Sequence, residues 1–140
     1  MILPDVNVLI ALVWPNHLFH QVARTRMERE RGKWATCVVT QLGFVRLSSN
    51  AAVLPTAVSA RQAVDFLTEL TTDRNHVFIE GGSPTSHRSG IWDKVRGPKQ
   101  VADAWLLSIA RRHDATLVTF DSKLSDLARN EAKVELLRAS

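Results

Sequence analysis

The sequence lacks the features that mark secreted and membrane-spanning proteins. Its single cysteine, Cys37, cannot form an internal disulfide, which fits a reducing compartment such as the cytoplasm. No apolar run approaches the roughly 18 residues that a membrane-spanning helix needs. The segment Met1–Asp5 has no basic region of the kind found in signal peptides. We therefore expect a cytoplasmic protein without a membrane partner, whose first residues form a native strand.

The bulk composition is ordinary for a globular protein and selects only weakly among functions. The 140 residues are 45% hydrophobic and 23% charged, which predicts one domain over residues 1–140 with a core of its own. The chain shows no internal repeat and no low-complexity tract. A formal charge of +4 and a pI near 9.8 favour polyanionic partners modestly, which alone is weak evidence for nucleic acid.

Apolar strand-like segments alternate with amphipathic helical segments along the chain. Strands are expected at residues 1–5, 34–39, 76–79, 116–120 and around 134–137. Helices are expected at 7–13, at 16–31 with Asn16 as the cap, from Thr40, after Pro55, at 98–113 and from Ser122. Residues 80–97 are expected to form a long loop with a small helix. This order predicts an α/β sandwich around a mainly parallel sheet, whose ligands gather at the carboxyl ends of its strands.

Three aspartates stand where apolar segments meet loops. Asp5 and Asp121 end predicted strands, and Asp103 opens the apolar part of a predicted helix. Carboxylates rarely border buried segments unless a positive group pairs with them. A hard divalent cation such as Mg²⁺ takes oxygen ligands and is often shared with phosphate oxygens. The five histidines show no zinc spacing. The pattern therefore favours one metal site that acts on a phosphate ester.

Simpler structural roles are open for the same residues. Asp103 could cap its helix, and Asp121 could start a turn. Asn7 could be a helix cap or a hydrogen-bond partner of the Asp5 carboxylate. Thr119 could be only a strand residue, or its hydroxyl could fix a metal-bound water. Asp5 is the hardest of the five to explain structurally, because it separates two apolar runs.

Four segments of the chain resemble PIN-domain ribonucleases, specifically the VapC toxins of bacterial toxin–antitoxin pairs. The matching segments are residues 3–12, 34–47, 101–107 and 117–121, in the family's order and spacing. Each segment alone is a weak pattern, but the four together are specific and span most of the chain. The resemblance implies a three-layer PIN-like sandwich around a five-stranded sheet.

The resemblance also implies an endoribonuclease that depends on Mg²⁺ or Mn²⁺ and cuts structured RNA such as tRNA or rRNA. It implies a cognate antitoxin that neutralises the enzyme, and a homodimer. The family's acidic residues fall on Asp5, Asp103 and Asp121. Where the family usually has a glutamate, this chain has Gln41, as in one branch of VapC-like proteins. Gln41 could still ligate a metal or orient water, and Asp93 is a possible substitute for the missing acid.

Basic residues in and after the irregular loop are candidates for RNA contact. They are Arg88, Lys94, Arg96 and Lys99, with Trp92 among them as a possible base-stacking surface. The alternative is a solvated loop. Arg46, on the same helix face as Gln41, could approach the site, clamp an antitoxin segment or form a surface ion pair. The second helix and the helix after Pro55 could form a groove for the antitoxin's C-terminal segment.

Two rival functions belong to other classes. In a haloacid-dehalogenase-type phosphohydrolase Asp5 would be the nucleophile, but that chemistry needs a second aspartate where this chain has Asn7. In a catalytically weak PIN-like module, with Gln41 as the lesion, the chain would bind RNA or a protein without cutting.

Overall fold

Alternating short strands and helices make up the fold, in a computed structural model that describes residues 1–86 and 90–138. The strands are β1 Ile2–Pro4, β2 Trp34–Thr36, β3 His76–Phe78, β4 Thr116–Thr119 and β5 Lys133–Leu136. The α-helices are α1 Val6–Val13, α2 His20–Arg29, α3 Val38–Ser48, α4 Ala60–Leu70, α5 Val101–Arg112 and α6 Ser122–Ala128. Short 3₁₀ turns lie at Pro84–Ser86, Gly90–Lys94 and Pro98–Gln100.

The five strands form one sheet in the order β3-β2-β1-β4-β5, and every pairing is parallel. This arrangement confirms the predicted α/β class and the predicted parallel sheet. The chain adds β2 and β3 on one side of β1 and places β4 and β5 on the other. The strand order therefore switches direction beside β1 and β4, where open α/β sheets place their ligands.

The sheet separates two apolar cores. Ile2 packs into a core with residues of α1 to α4, whereas its neighbour Leu3 packs into a core with residues of α5 and α6. Successive side chains of a strand point to opposite faces, so both faces of the short central strand are covered by helices. The result is the expected three-layer sandwich. None of the helices within the described ranges has the length and apolar character needed to cross a membrane.

Several predicted boundaries are wrong by a few residues. The second strand ends at Thr36 and not at Val39, because Cys37 caps α3 and the Thr40 side chain accepts a hydrogen bond from the Cys37 N–H at 3.0 Å. Thr40 is thus a residue of the first turn of α3 and not its cap. The helix predicted at 16–31 begins at His20 and ends at Arg29.

The start of α2 was mispredicted because the preceding residues form turns of their own. The Phe19 N–H donates to Nδ1 of His17 at 3.0 Å, and the His17 N–H donates to the Trp14 carbonyl at 3.0 Å. Asn16 is therefore not the cap, and Phe19 occupies that position. Leu42, predicted to belong to the apolar face of α3, is 64% exposed.

Candidate active site

Asp5 is fixed where β1 passes into α1. The Asp5 backbone N–H donates to the Val118 carbonyl at 2.8 Å, which joins the ends of the two central strands. Its carboxylate caps α1, since Oδ1 accepts the Val6 N–H at 2.8 Å. Asp5 is only 7% exposed. Burial raises the pKa of this carboxyl, the hydrogen bonds from Thr119 and Val6 lower it, and repulsion from Asp121 raises it further, with a net upward shift.

Thr119 forms hydrogen bonds with both aspartates at the strand ends. Its hydroxyl donates to Oδ2 of Asp5 at 2.9 Å, and its oxygen accepts the Asp121 backbone N–H at 3.0 Å. Thr119 is fully buried at the end of β4. Asp121 in turn caps α6, because its Oδ1 accepts the Lys123 N–H at 2.9 Å. The capping role expected as an alternative for Asp121 is thus present, and it leaves Oδ2 of Asp121 free of described hydrogen bonds.

Asp103 reaches the same site from the first turn of α5. It is half-buried, and its pKa is raised to about 6, first by burial and then by repulsion from Asp5 and Asp121. Within the described residues, no group donates a hydrogen bond to the Asp103 carboxylate, and none forms an ion pair with it. Asp103 is not the N-cap of α5, which is Gln100. Because the charges of Asp5 and Asp121 act on the carboxyl of Asp103, the three aspartates belong to one site.

A cleft of about 750 Å³ opens at this point, and we call it the acidic cleft. Its polar and charged lining residues are Asp5, Asn7, Arg46, Lys99, Asp103 and Asp121. Apolar residues of α3 and α5, among them Leu42 and Leu106, form the rest of its wall. Six residues singled out in the sequence therefore lie around one cleft, at the carboxyl ends of β1 and β4.

The donor set of the acidic cleft suits a hard divalent cation. Carboxylate oxygens are the preferred ligands of Mg²⁺. The three aspartates also repel one another, and after burial this repulsion raises the pKa of Asp103. Among the described residues, however, no three His, Cys, Asp or Glu side chains are already grouped closely enough to hold an ion. Coordination by all three aspartates therefore requires their side chains to reorient.

Gln41 does not line the acidic cleft. Its side-chain N–H donates to the Thr36 hydroxyl at 3.0 Å, and that hydroxyl lies 2.7 Å from Nε2 of His76. His76 also lies against Trp34, with ring centroids 4.7 Å apart. The amide is thus part of a network that joins α3 to β2 and β3. Sequence reasoning missed Thr36 and His76, because nothing in their local pattern indicates a partner 40 positions away.

The other basic candidates are divided between two places. Arg46 and Lys99 line the acidic cleft, whereas Lys94 and Arg96 line a separate groove beside α6. Asp93, the proposed substitute acid, is exposed in the turn Gly90–Lys94 and is not part of the cleft lining. Arg88 lies outside the described residues. Lys123 and Arg129, which share the second groove, were not singled out from the sequence, although Lys123 stands two positions after Asp121.

The chain matches known proteins over most of its length. The family model described as "PIN domain" matches residues 2–130. The chain is 39% identical over 140 residues to "Ribonuclease VapC38" of Mycobacterium tuberculosis, with 98% of each protein covered. It is also 39% identical over 126 residues to "Ribonuclease VapC39" of the same species, with 89% of this chain and 91% of the relative covered.

A solved structure shares the fold at low sequence identity. It is that of VapBC2 from Rickettsia felis bound to a DNA fragment from their promoter, with a TM-score of 0.68 and 14% identity. The match covers 99% of this chain and 100% of the matched chain.

Proposed function

We propose a function from the premise that this chain belongs to the PIN-domain family, and within it to the VapC ribonucleases. It is the toxin of a toxin–antitoxin pair, an endoribonuclease that hydrolyses phosphodiester bonds in structured RNA such as tRNA or rRNA. The observation that carries the proposal is the acidic cleft. Three aspartates from three distant segments meet there, where burial and then repulsion from Asp5 and Asp121 raise the pKa of Asp103.

Asp5, Asp103 and Asp121 are the residues that would hold Mg²⁺ or Mn²⁺. When bound, the ion would lower the pKa of a water molecule and neutralise charge on the reacting phosphate. Thr119 positions two of these ligands, because its hydroxyl contacts the Asp5 carboxylate and the Asp121 backbone. Asn7, exposed at the rim of the cleft, can donate or accept hydrogen bonds with the RNA backbone.

Arg46 and Lys99 would bind substrate phosphates at the cleft. Both line it beside the aspartates, and neither forms an ion pair with a described acid. A polyanion cannot approach three carboxylates without cations nearby. These two side chains therefore supply the positive charge that draws the RNA strand toward the site.

The antitoxin has a candidate docking surface at a groove that shares no lining residue with the acidic cleft. A groove of about 630 Å³ runs between α1, α2 and α4. Its apolar lining includes Leu12, Met27, Phe66 and Leu70. Its charged lining residues are Arg24, Glu28, Glu30, Glu69 and Asp73. Such a groove suits the apolar face of an amphipathic segment whose flanking residues are basic. The match to the structure of VapBC2 supports a partner of this kind, although at 14% identity it shows the fold alone.

A second copy of the chain would cover an apolar strip beside the cleft. Val38 and Leu42 are 57% and 64% exposed on one face of α3, and Val101 on α5 is 49% exposed. Exposed apolar side chains at helical spacing favour a protein contact. We propose a homodimer through this strip. Leu42→Asp should shift the protein to monomers in light scattering, and an unchanged dimer would rule out the strip.

The function is tested by cleavage of total RNA and of isolated tRNA by the purified protein. Reactions contain Mg²⁺, Mn²⁺ or EDTA, with Asp103→Asn as the matched inactive variant. Discrete products that need the metal and disappear in the variant are expected. Binding without cutting in either metal would favour the alternative, a PIN-like module that grips RNA or a protein. The relatives named as ribonucleases do not favour that alternative, and the family match leaves the haloacid-dehalogenase reading without support.

A further inference from the structure

A second concave surface lies beside the acidic cleft, between α6 and the 3₁₀ turns that precede α5. It has a volume of about 450 Å³, and we call it the α6 groove. Its lining residues are Lys94, Arg96, Gln100, Lys123, Asp126, Leu127 and Arg129. Four of the seven are cations and one is an acid, so the groove is strongly basic. Its lining contains no aromatic residue, which favours contact with phosphates over stacking with bases.

Two of these cations are free to bind a ligand. Within the described residues, the side chains of Lys123 and Arg129 form no hydrogen bond and no ion pair. Lys94 lies 3.5 Å from Glu131, but Arg111 holds the same carboxylate at 2.8 Å. An acid shared by two cations neutralises neither fully, so Lys94 also keeps much of its attraction for an anion.

Arg96 is held in place without losing its charge. Its guanidinium donates to the Asp93 backbone carbonyl at 2.8 Å, and its backbone N–H donates to Oε1 of Gln100 at 2.7 Å. A carbonyl orients the guanidinium but does not neutralise it. Arg96 is therefore a preorganised cation. It loses less conformational entropy when it binds an anion than a freely rotating side chain would.

The α6 groove begins where the acidic cleft ends. Asp121 lines the cleft and Lys123 lines the groove, and the two are joined by a 2.9 Å hydrogen bond at the start of α6. Lys99 lines the cleft and its neighbour Gln100 lines the groove, within the single turn Pro98–Gln100. Neighbouring residues of the same two segments therefore line the cleft and the groove, which places the groove next to a strand bound in the cleft.

We propose that the α6 groove binds the phosphates of the RNA strand that flanks the scissile bond, and so selects substrates that extend beyond the cleft on this side. The inference rests on the proposed ribonuclease function. Contacts to phosphates position a strand without reading its bases, so the groove sets affinity and register rather than sequence preference. An acidic protein segment is the other occupant that the charges would suit, but continuity with a cleft that contains the cutting site favours RNA.

The test compares RNA binding by two double variants with the same loss of charge. Lys123→Gln with Arg129→Gln removes the free cations of the groove. Arg61→Gln with Arg74→Gln removes two exposed cations on and after α4 that line none of the described cavities. The probe is a 5′-labelled single-stranded RNA of about 20 nucleotides, long enough to span the cleft and the groove. Binding is measured by anisotropy in EDTA, so that no cleavage occurs, over a series of salt concentrations.

The groove variant should bind roughly tenfold more weakly at low salt, and its plot of log affinity against log salt should be shallower by about 1.4, the value for two lost phosphate contacts on a single strand. The control pair should keep the slope of the wild-type protein. In metal-dependent cleavage the groove variant should raise KM with little change in kcat.

Equal affinities and slopes for the two variants would overturn the inference, and the cleavage assay would still report on the function. If the groove variant bound RNA normally but lost affinity for an acidic polypeptide such as poly-glutamate, the groove would belong to a protein partner. If the wild-type protein bound RNA through the groove but cut none in Mg²⁺ or Mn²⁺, the proposed ribonuclease function would fail while the binding surface remained.

Discussion

The hydroxyl of Thr119 donates a 2.9 Å hydrogen bond to Oδ2 of Asp5, although 114 positions separate the two residues. The same oxygen accepts the backbone N–H of Asp121 at 3.0 Å. One buried side chain thus binds the Asp5 carboxylate and the Asp121 backbone at the same time. A hydrogen bond to the ionised form of a carboxylate lowers its pKa, so Thr119 also helps to keep Asp5 charged despite its burial.

Thr119→Val should therefore weaken both the fold and the site. Valine matches threonine in shape but leaves the Asp121 N–H and one oxygen of Asp5 without their partner. We expect a loss of about 1–3 kcal/mol in the free energy of unfolding, measured by urea denaturation. We also expect weaker binding of Mg²⁺ in calorimetry, because the pKa of Asp5 rises further.

The control is Thr68→Val, which removes an exposed hydroxyl on α4 and should change stability by at most about 0.5 kcal/mol. Equal effects of the two substitutions would contradict the positioning role.

Asp103 should make the metal-free protein less stable as the pH rises. Burial and then repulsion from Asp5 and Asp121 raise its pKa from the ordinary 3.8 to about 6 in the folded protein, so the folded state binds this proton more tightly than the unfolded state. The contribution to stability is complete below the unfolded pKa and declines as the pH rises through the interval between the two values. Urea denaturation of the protein in EDTA at a series of pH values measures the effect.

Asp103→Asn provides the matched comparison, since it removes the titration and keeps the shape. The variant should be more stable than the wild-type protein at pH 7, and the difference should shrink toward pH 4. Added Mg²⁺ should stabilise the wild-type protein at pH 7, by about 2.7 kcal/mol at a hundredfold excess over Kd, and should do little for the variant. Parallel pH profiles for the two proteins would show that Asp103 does not carry a raised pKa.

Gly43 allows α3 to approach α1 next to the acidic cleft. A Cβ atom at this position would lie 2.6 Å from Cγ2 of Val6, the residue that follows Asp5. Gly43→Ala should therefore destabilise the fold by about 1–3 kcal/mol through overpacking, although alanine is favoured in a helix by about 1 kcal/mol. Thermal denaturation measures the change. Adding Val6→Ala should recover stability beyond the sum of the single effects, and strict additivity would argue against the contact.

Much of the fold could be predicted from the sequence because strands and helices differ in apolar period. The parallel sheet, the order of elements and the meeting of Asp5, Asp103 and Asp121 at one cleft followed from strand ends and one helix start. Boundaries were less predictable, because they depend on single hydrogen bonds. The strand predicted to reach Val39 ends at Thr36, since the Thr40 hydroxyl binds the Cys37 N–H and starts the helix earlier.

Side-chain direction was the least predictable property of the site. The resemblance to the family placed Gln41 near the metal site, but a helix residue can turn toward either neighbouring strand, and the Gln41 amide donates to Thr36 on β2. The α6 groove escaped prediction for a related reason. Lys94 and Arg129 are 35 positions apart in sequence, and only the packing of α6 beside the turns before α5 brings them to one surface.

A chain of hydrogen bonds runs from Gln41 through Thr36 to His76. Its amide N–H donates to the Thr36 hydroxyl, so the hydroxyl proton is free to point to Nε2 of His76, 2.7 Å away. This arrangement requires a neutral imidazole with its proton on Nδ1. Burial lowers the pKa of His76, and the nearby Asp73 carboxylate opposes that shift. The chain of donors thus agrees with an uncharged His76.

Gln41→Glu should disturb this chain and should not improve the metal site. A carboxylate at position 41 only accepts hydrogen bonds, so Thr36 would face two acceptors unless Nε2 of His76 carried a proton, and the added negative charge favours the imidazolium form. We expect the pKa of His76 to rise, as measured by NMR titration of its imidazole, with the affinity for Mg²⁺ unchanged within about twofold. Gln21→Glu is the matched control, because the Gln21 amide also donates to a threonine hydroxyl, that of Thr25, at 3.2 Å on the exposed face of α2. Mg²⁺ binding that became about tenfold tighter, with an unshifted His76, would show that the side chain at position 41 reaches the acidic cleft and ligates the ion.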